Sequence, residues 1–443
     1  MKKTIISLSI LLFVGNSSTA QETPVEVKYR RSSLHTMVLE SEKFPNKEIV
    51  LKAFNTATFP DKYNDHQIGA KSFNPANYLL TAEEKATVYT PSKAGKLAAA
   101  AASTAGVSMI DSVAKELPNR IGKFLENEKI ANQLVAKWFN MKADGAVDDL
   151  LIGDRGAFNA SFLDTKIANA SNDGKELLRQ AGNELIPNTF VVVNKFKFIE
   201  NEPVARLIRD AAKVAAAKKV PAGPLLDKSY AALDLVYEKT KEGFTIWATS
   251  YLYKLIWNDT IAQKFYNWID DKAAPAEKKR NFDKSSDYKL EFVGDETASG
   301  LVTFSLKEKR TEEQIIILAT HRIIDKVYSK LQRTYDVFKT KTPLYTGYPI
   351  TAKIGLKEGL EAGDKFEVLE QNIDQKTGVS TYKSLGKIKV GKEMIWDNIQ
   401  STGEIPVVDP VVDPAAKPAP VLDRTTFSGG KKYYSGLLIR QLK

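Results

Sequence analysis

The chain has 443 residues, a formal net charge of +10, 43% hydrophobic and 27% charged residues, and no cysteine. This is ordinary globular composition, long enough for two or three domains. The missing cysteine excludes disulfides, thiol nucleophiles, cysteine zinc sites and iron–sulfur clusters, so the fold has to be held by its core.

The chain opens MKKTIISLSILLFVGNSSTAQE. Lys2 and Lys3 are followed by an apolar run, residues 4–15, too short to span a bilayer. Small residues at Ser18 and Ala20 then fit the pocket of a signal peptidase. The pattern predicts a secretory signal peptide, residues 1–20, cut between Ala20 and Gln21, and a mature protein in the periplasm, at the outer membrane or secreted. Without Lys2 and Lys3 the charge is +8. Outside the cytoplasm no nucleic acid is expected as a partner. The anions on offer are lipid headgroups, lipopolysaccharide, cell-wall polymer and acidic proteins. The lysines are scattered, Lys339 and Lys341 among them, and read as solvated surface. No transmembrane helix is expected in the mature chain; residues 97–110, LAAAAASTAGVSMI, read as a closely packed interior helix.

Residues 21–31 read as an extended lead-in, residues 33–40 (SLHTMVLE) as a strand, and residues 47–55 (KEIVLKAFN) as a short amphipathic helix. FPDKYNDHQIG is rich in turn formers. An alanine-rich helix over 92–116 is expected to end at Pro118. A second, over 120–140, carries the stripe Ile121, Phe124, Leu125, Ile130, Leu134, Val135 and Trp138. Residues 150–152 read as a strand and 173–185 as a helix. In residues 189–199 (TFVVVNKFKFI), Phe196 and Phe198 alternate with Lys195 and Lys197, the pattern of a strand. Helices follow from near Pro203 to about 219 and over 225–240. Residues 243–257 (GFTIWATSYLYKLIW) read as a central strand. Asp259 is expected to cap a helix to 270, residues 287–293 and 301–306 to form a strand pair, and Thr311 with Gln314 a capping box that opens a helix to 338. This mixture predicts an α+β protein with an α/β-like body.

From residue 344 the helical periodicity stops. Strands are predicted at 349–354, 364–370, 380–390 and 393–396, with DQKTG (374–378) as a hairpin turn and residues 433–442 as a closing strand. This is a small all-β barrel. Residues 403–423 repeat VVDP and read as a stiff Pro-rich insertion. The organisation is a signal peptide 1–20, an N-terminal strand and helix segment 21–91, a body 92–342 and a barrel 343–443.

The stretch AKIGLKEGLEAGDKFEVLE, with Gly355, Gly359, Gly363, Asp364, Phe366 and Val368, resembles SH3-like barrel modules of periplasmic flagellar-assembly proteins. The order helix, strand, helix, strand over 130–139, 150–155, 175–185 and 190–193 is similar to the body of the curli-secretion-channel family. The resemblance implies a non-catalytic role in envelope assembly or interaction.

The chemistry-bearing residues are few. The histidines are His35, His66 and His321, with no H-E-x-x-H pair. His321, inside a long helix, reads as surface or core edge. His66 lies in PDKYNDH beside Asp61 and Asp65. If the first strand meets this loop, His35, His66, Asp61 and Asp65 could hold a metal. The favoured reading is a turn made by Asp61, Asn64 and Asp65 with His66 exposed. There is no G-x-S-x-G elbow, no G-x-G-x-x-G after a strand, and PSKAGK lacks the first glycine of a phosphate loop. Trp247, Tyr251, Tyr253 and Trp257 share one parity and read as core; Trp396 is read either way.

No catalytic residue, cofactor or metal is therefore expected. The leading reading is an exported, non-catalytic envelope protein that binds another envelope protein or itself, with an anionic surface, cell wall or lipid headgroups, as a further partner. The alternatives are a glycan-active hydrolase with two facing carboxylates, and a metal or small-ligand binder centred on His35 and His66.

Overall fold

A computed structural model describes residues 28–40, 46–86, 112–160, 172–241, 244–302, 311–374, 376–391, 394–399, 422–430 and 432–442. The expected signal peptide, the interior helix at 97–110 and all but the last residues of the Pro-rich insertion lie outside the described residues.

The helices in chain order are α1 (Lys47–Thr56), α2 (Ala82–Ala86), α3 (Ser112–Asn127), α4 (Ile130–Trp138), α5 (Leu150–Asn159), α6 (Asn172–Asn183), α7 (Asn201–Lys219), α8 (Pro224–Thr240), α9 (Asp259–Asp270), α10 (Pro275–Lys284) and α11 (Glu312–Thr334). The body sheet uses β1 (Ser33–Leu39), β2 (Asn64–Asp65), β3 (Ser72–Phe73), β4 (Thr189–Glu200), β5 (Phe244–Leu255) and β6 (Leu290–Val302). Their order is β2-β1-β4-β5-β6, with β3 also on β1. β1 runs parallel to β2, β3 and β4, while β4, β5 and β6 are antiparallel.

Both faces of this sheet are buried, as the apolar residues at both parities of β4 require. Phe190, Val192, Phe196 and Phe198 pack with Ile316, Ile323 and Val327 of α11. Val191 and Val193, on the other face, pack with Ile121 and Phe124 of α3 and Leu134 of α4. The body is thus a helix–sheet–helix sandwich, and the expected α+β class holds. The capping box is present: Gln314 N donates to Thr311 Oγ1 at 3.3 Å and Thr311 N to Gln314 Oε1 at 2.9 Å. His321 Nε2 meets the Ala53 carbonyl at 3.0 Å, tying α11 to α1. No helix among the described residues is long and apolar enough to cross a membrane.

Five local expectations are corrected. Pro118 does not end a helix; α3 runs through it, and Tyr253 Oη donates to the Pro118 carbonyl at 2.7 Å. The break comes at Lys129, whose φ of 52° turns the chain so that Phe124 and Ile130 can both reach the sheet. Residues 150–152 begin α5 rather than a strand. Residues 290–293 and 301–302 of the expected strand pair belong to one strand, β6, kinked by a bulge where Gly294 (φ 155°) lies under the Tyr335 ring, and residues 303–306 lie outside the described residues. Asn258, not Asp259, caps α9, accepting from Ile261 N at 3.0 Å. Residues 394–396 form no strand; Trp396 makes a single bridge to Gly355.

The C-terminal sheet has seven antiparallel strands: β7 (Thr342–Pro343), β8 (Thr346–Gly347), β9 (Ile350–Ala352), β10 (Lys365–Ile373), β11 (Ser380–Val390), β12 (Thr425–Ser428) and β13 (Leu438–Gln441). The order is β7-β13-β10-β11-β12-β9-β8. Its edge strands are joined by Leu344 and Tyr345 alone, so the sheet curls into a barrel-like shape. Phe366 and Val368 point into its core with Ile388, Phe427 and Ile439. Asp374 Oδ1 accepts from the N–H groups of Lys376 and Thr377, both at 2.8 Å, and organises the hairpin turn.

The barrel is docked on the body. Arg333 of α11 bonds Asp364 Oδ2 at 2.8 Å and also the Gly359 carbonyl. Gln371 donates to the Asn159 carbonyl at 2.6 Å, and Ser380 N donates to Glu184 Oε2 at 3.0 Å. Asp325 of α11 lies in this seam. Burial raises its pKa to about 7, against the pull of Lys357 and helped by Glu358 and Asp61. Between the ordinary aspartate value and about 7 the folded state binds the extra proton, so this group costs stability as pH rises through that window. Asp325→Asn is expected to stabilise the protein by about 1–2 kcal/mol at pH 8, discounted for partial exposure, and by less at pH 5. Urea unfolding at the two pH values measures it.

Candidate functional site

Parallel pairing of β1 with β2 in the register Leu34 to Asp65 sets His35 and His66 at neighbouring positions, and both are fully buried. His66 is therefore not the exposed turn residue expected. The chain leaves the turn as β2, which aims the imidazole at α4. His66 Nε2 donates to the Leu134 carbonyl at 2.8 Å, and its Nδ1 accepts from Arg155 at 2.7 Å. Arg155 also donates to Ser33 Oγ and to the Asp65 carbonyl, both at 3.0 Å, and its guanidinium lies 4.2 Å over the Trp138 ring. Burial, then the Arg155 charge, hold the His66 pKa well below the usual histidine value.

His35 Nδ1 donates to Gln67 Oε1 at 2.8 Å, and its Nε2 is buried with no hydrogen-bond partner among the described residues. Burial brings its pKa down to about 4. The Asp65 carboxylate is exposed and accepts from Gln67 N at 2.9 Å; Asp61 is exposed on the far side of the turn. The four candidate ligands are not brought together, and no group of three or more His, Asp or Glu among the described residues could hold a metal. His66 and Arg155 instead pin β1 and β2 to α4 and α5.

The aromatic row is core. Tyr251 and Tyr253 are buried on β5, and Trp257, just beyond the strand, packs against Phe265 and Tyr288. Trp247 and Trp396 are half-buried.

A surface in need of a cover lies elsewhere. β4 and β5 pair to their ends, Glu200 against Phe244, and all of α7 and α8 is inserted between them. Pro224 starts α8, and α7 ends just before Pro221. The two helices pack on each other. Tyr237 Oη donates to Glu202 Oε1 at 2.9 Å, and the Arg209 guanidinium lies 4.4 Å over the Tyr237 ring. α8 has no buried residue along its 17 positions. Ile208 (61% exposed), Val214 (58%), Leu225 (67%), Leu235 (57%) and Val236 (57%) stand in solvent. A groove of about 240 Å³ between the helices is lined by Ala205, Ile208, Leu233 and Val236.

Helices of this length are marginal without tertiary packing, so a pair that buries this little is weakly held by its own chain. Its charges divide by helix. α7 has five basic and two acidic side chains, net +3; α8 has two basic and three acidic, net −1.

The chain matches no known protein-family model, and no curated protein is similar to it. The hairpin was readable as two helices but not as an unpartnered arm. The available signal was Leu235, which lies well off the arc shared by Leu225, Leu226, Leu233 and Val236 on α8 and so cannot face the same neighbour.

Proposed function

We propose that this protein is an exported, non-catalytic envelope protein that assembles with a second copy of itself, joined through the α7–α8 hairpin. The carrying observation is the set of exposed apolar side chains on α7 and α8, with no buried residue in α8. The choice of a second copy follows from charge. In a two-fold pairing, α7 of one protomer lies against α8 of its partner, so a net +3 helix meets a net −1 helix twice, around an apolar seam. The product is a four-helix bundle, the shortest route to burying both faces. Export is supported by the Lys2–Lys3, apolar and Ser18-x-Ala20 pattern at the N-terminus.

Sedimentation equilibrium of residues 21–443 tests this. A dimer is expected at about 10 μM, and the double variant Leu235→Lys, Val236→Lys is expected to weaken it by about tenfold or more. The body's unfolding midpoint should stay put, because Leu235 and Val236 are exposed on a helix that has no buried residue. A wild-type monomer at all concentrations, or a dimer indifferent to the double variant, overturns the reading.

A further inference from the structure

A second feature, independent of the hairpin, lies where the body meets the barrel. The lead-in to β1, the turn before β2 and the segment between α11 and β7 enclose a cavity of about 190 Å³. Its wall carries Arg31, Lys62, Lys339 and Lys341, with the Thr340 residue between the last two and Asp336 as the one carboxylate. Most of these cations are already answered. Arg31 is paired with Glu184 and donates to Tyr382 Oη at 2.7 Å. Lys339 meets Asp336 at 2.7 Å. Lys62 donates to the Lys353 carbonyl at 3.0 Å and lies 4.0 Å from Asp61.

Lys341 is the exception. Among the described residues its ammonium has no hydrogen-bond acceptor and no carboxylate at ion-pair distance; it lies 4.3 Å over the Tyr382 ring. Burial brings its pKa down to about 8, with Arg31 and Arg440 acting in the same direction and Glu184 against them. A partly buried ammonium with no carboxylate of the described residues at ion-pair distance favours an anion beside it. An anion in the cavity supplies that charge.

The donor set indicates which anion. The guanidinium fork of Arg31 is occupied by Glu184 and Tyr382, so planar bidentate recognition of a carboxylate is not on offer. What remains are ammonium groups, point charges reaching the cavity from separate segments, a geometry that suits a tetrahedral oxyanion accepting from several directions. A neighbouring cavity of about 250 Å³ shares Lys62 and continues the positive wall with Lys28, Arg30 and Lys353, while Pro343 and Leu344 give it an apolar side. It has room for the remainder of a molecule that carries the anion. We infer that the cavity between body and barrel binds a phosphoryl group, free or borne on a larger molecule, with Lys341 as its principal contact.

The test uses residues 21–443 in phosphate-free buffer. Inorganic phosphate is titrated by calorimetry, and vesicles of phosphatidylglycerol are compared with phosphatidylcholine by co-sedimentation. Phosphate is expected to bind with a Kd of about 1 mM or tighter, and Lys341→Gln to weaken it about tenfold with the fold intact by circular dichroism. Lys62→Gln, on a different segment, is expected to weaken it severalfold, so a failure of one variant to fold leaves the other. Binding of phosphatidylglycerol vesicles without free phosphate, lost in the same variants, supports the site and assigns the group to a lipid. Binding of neither probe, equal displacement by acetate, or binding unchanged in both variants overturns the proposal.

Discussion

Gly156→Ala is expected to lower the stability of the body by about 3 kcal/mol, seen as a drop in the urea midpoint. Gly156 of α5 and Gly182 of α6 face each other across a backbone-to-backbone crossing. A Cβ at 156 would lie 1.8 Å from the Leu178 carbonyl oxygen, and one at 182 would lie 2.0 Å from the Ile152 oxygen. Neither obstacle is a side chain that can rotate away, so the helices must separate. That loosens Ala160 and Leu178, which pack beneath Ile373 of the barrel. Gly182→Ala should cost a similar amount. Gly153 is the internal control. It sits on the same helix, but a Cβ there meets only Arg179 Cγ at 3.7 Å, an ordinary contact. Gly153→Ala should therefore be neutral or stabilising by up to about 1 kcal/mol through helix propensity. Equal losses at 153 and 156 would contradict the close-crossing account.

Arg155→Ala is expected to cost about 4 kcal/mol, again by urea unfolding. The side chain is 3% exposed and donates to His66 Nδ1, Ser33 Oγ and the Asp65 carbonyl. Its removal leaves His66 Nδ1 and Ser33 Oγ buried and unpaired beside a cavity over Trp138. Arg155→Met refills most of that cavity but none of the hydrogen bonds, so its loss should be smaller. It also removes a positive charge facing His66, whose pKa should rise while staying below the ordinary value, because burial is the larger cause. Nitrogen chemical shifts of the imidazole report this directly.

What the chain's letters disclosed and what they hid divides along the range of the interactions. Thr311 with Gln314, the DQKTG turn and the alternation of Phe196 and Phe198 with lysine are local signals, and each forms the structure it suggests. Leu150, Leu151 and Ile152 are a short apolar run that suits a strand or a helix equally well. The helix is decided by the fit of Gly156 against α6, more than twenty residues on. Pro118 reads as a stop, yet the turn that matters is at Lys129, which carries no glycine to mark it. Gly294 splits β6 into two apparent strands, because the Tyr335 ring that requires a glycine there comes from the end of α11.

The same holds for the sites. Placing His35 beside His66 needed only the guess that β1 meets the following turn. That His66 is taken up by Arg155 and Leu134 depends on helices far along the chain. Lys341 looked like one of many surface lysines. Its setting arises only when Arg31, Ser32 and Lys62 close around it and the Tyr382 ring of the barrel comes to lie beside it. The α7–α8 hairpin is the reverse case: its helices were legible, and the missing burial is a property of the assembled fold.

Assembly of two copies through the hairpin, as proposed, has a direct test. Having no native cysteine, the protein suits a direct measurement: single cysteines placed at Ile208, Val214, Leu225, Leu235 and Val236 in turn, with Leu79 and Leu150 as equally exposed controls elsewhere on the body. Under mild oxidation, at least one hairpin variant is expected to form a covalent dimer while the controls stay monomeric. Hairpin variants that stay monomeric, or controls that cross-link as readily, would contradict assembly through α7 and α8.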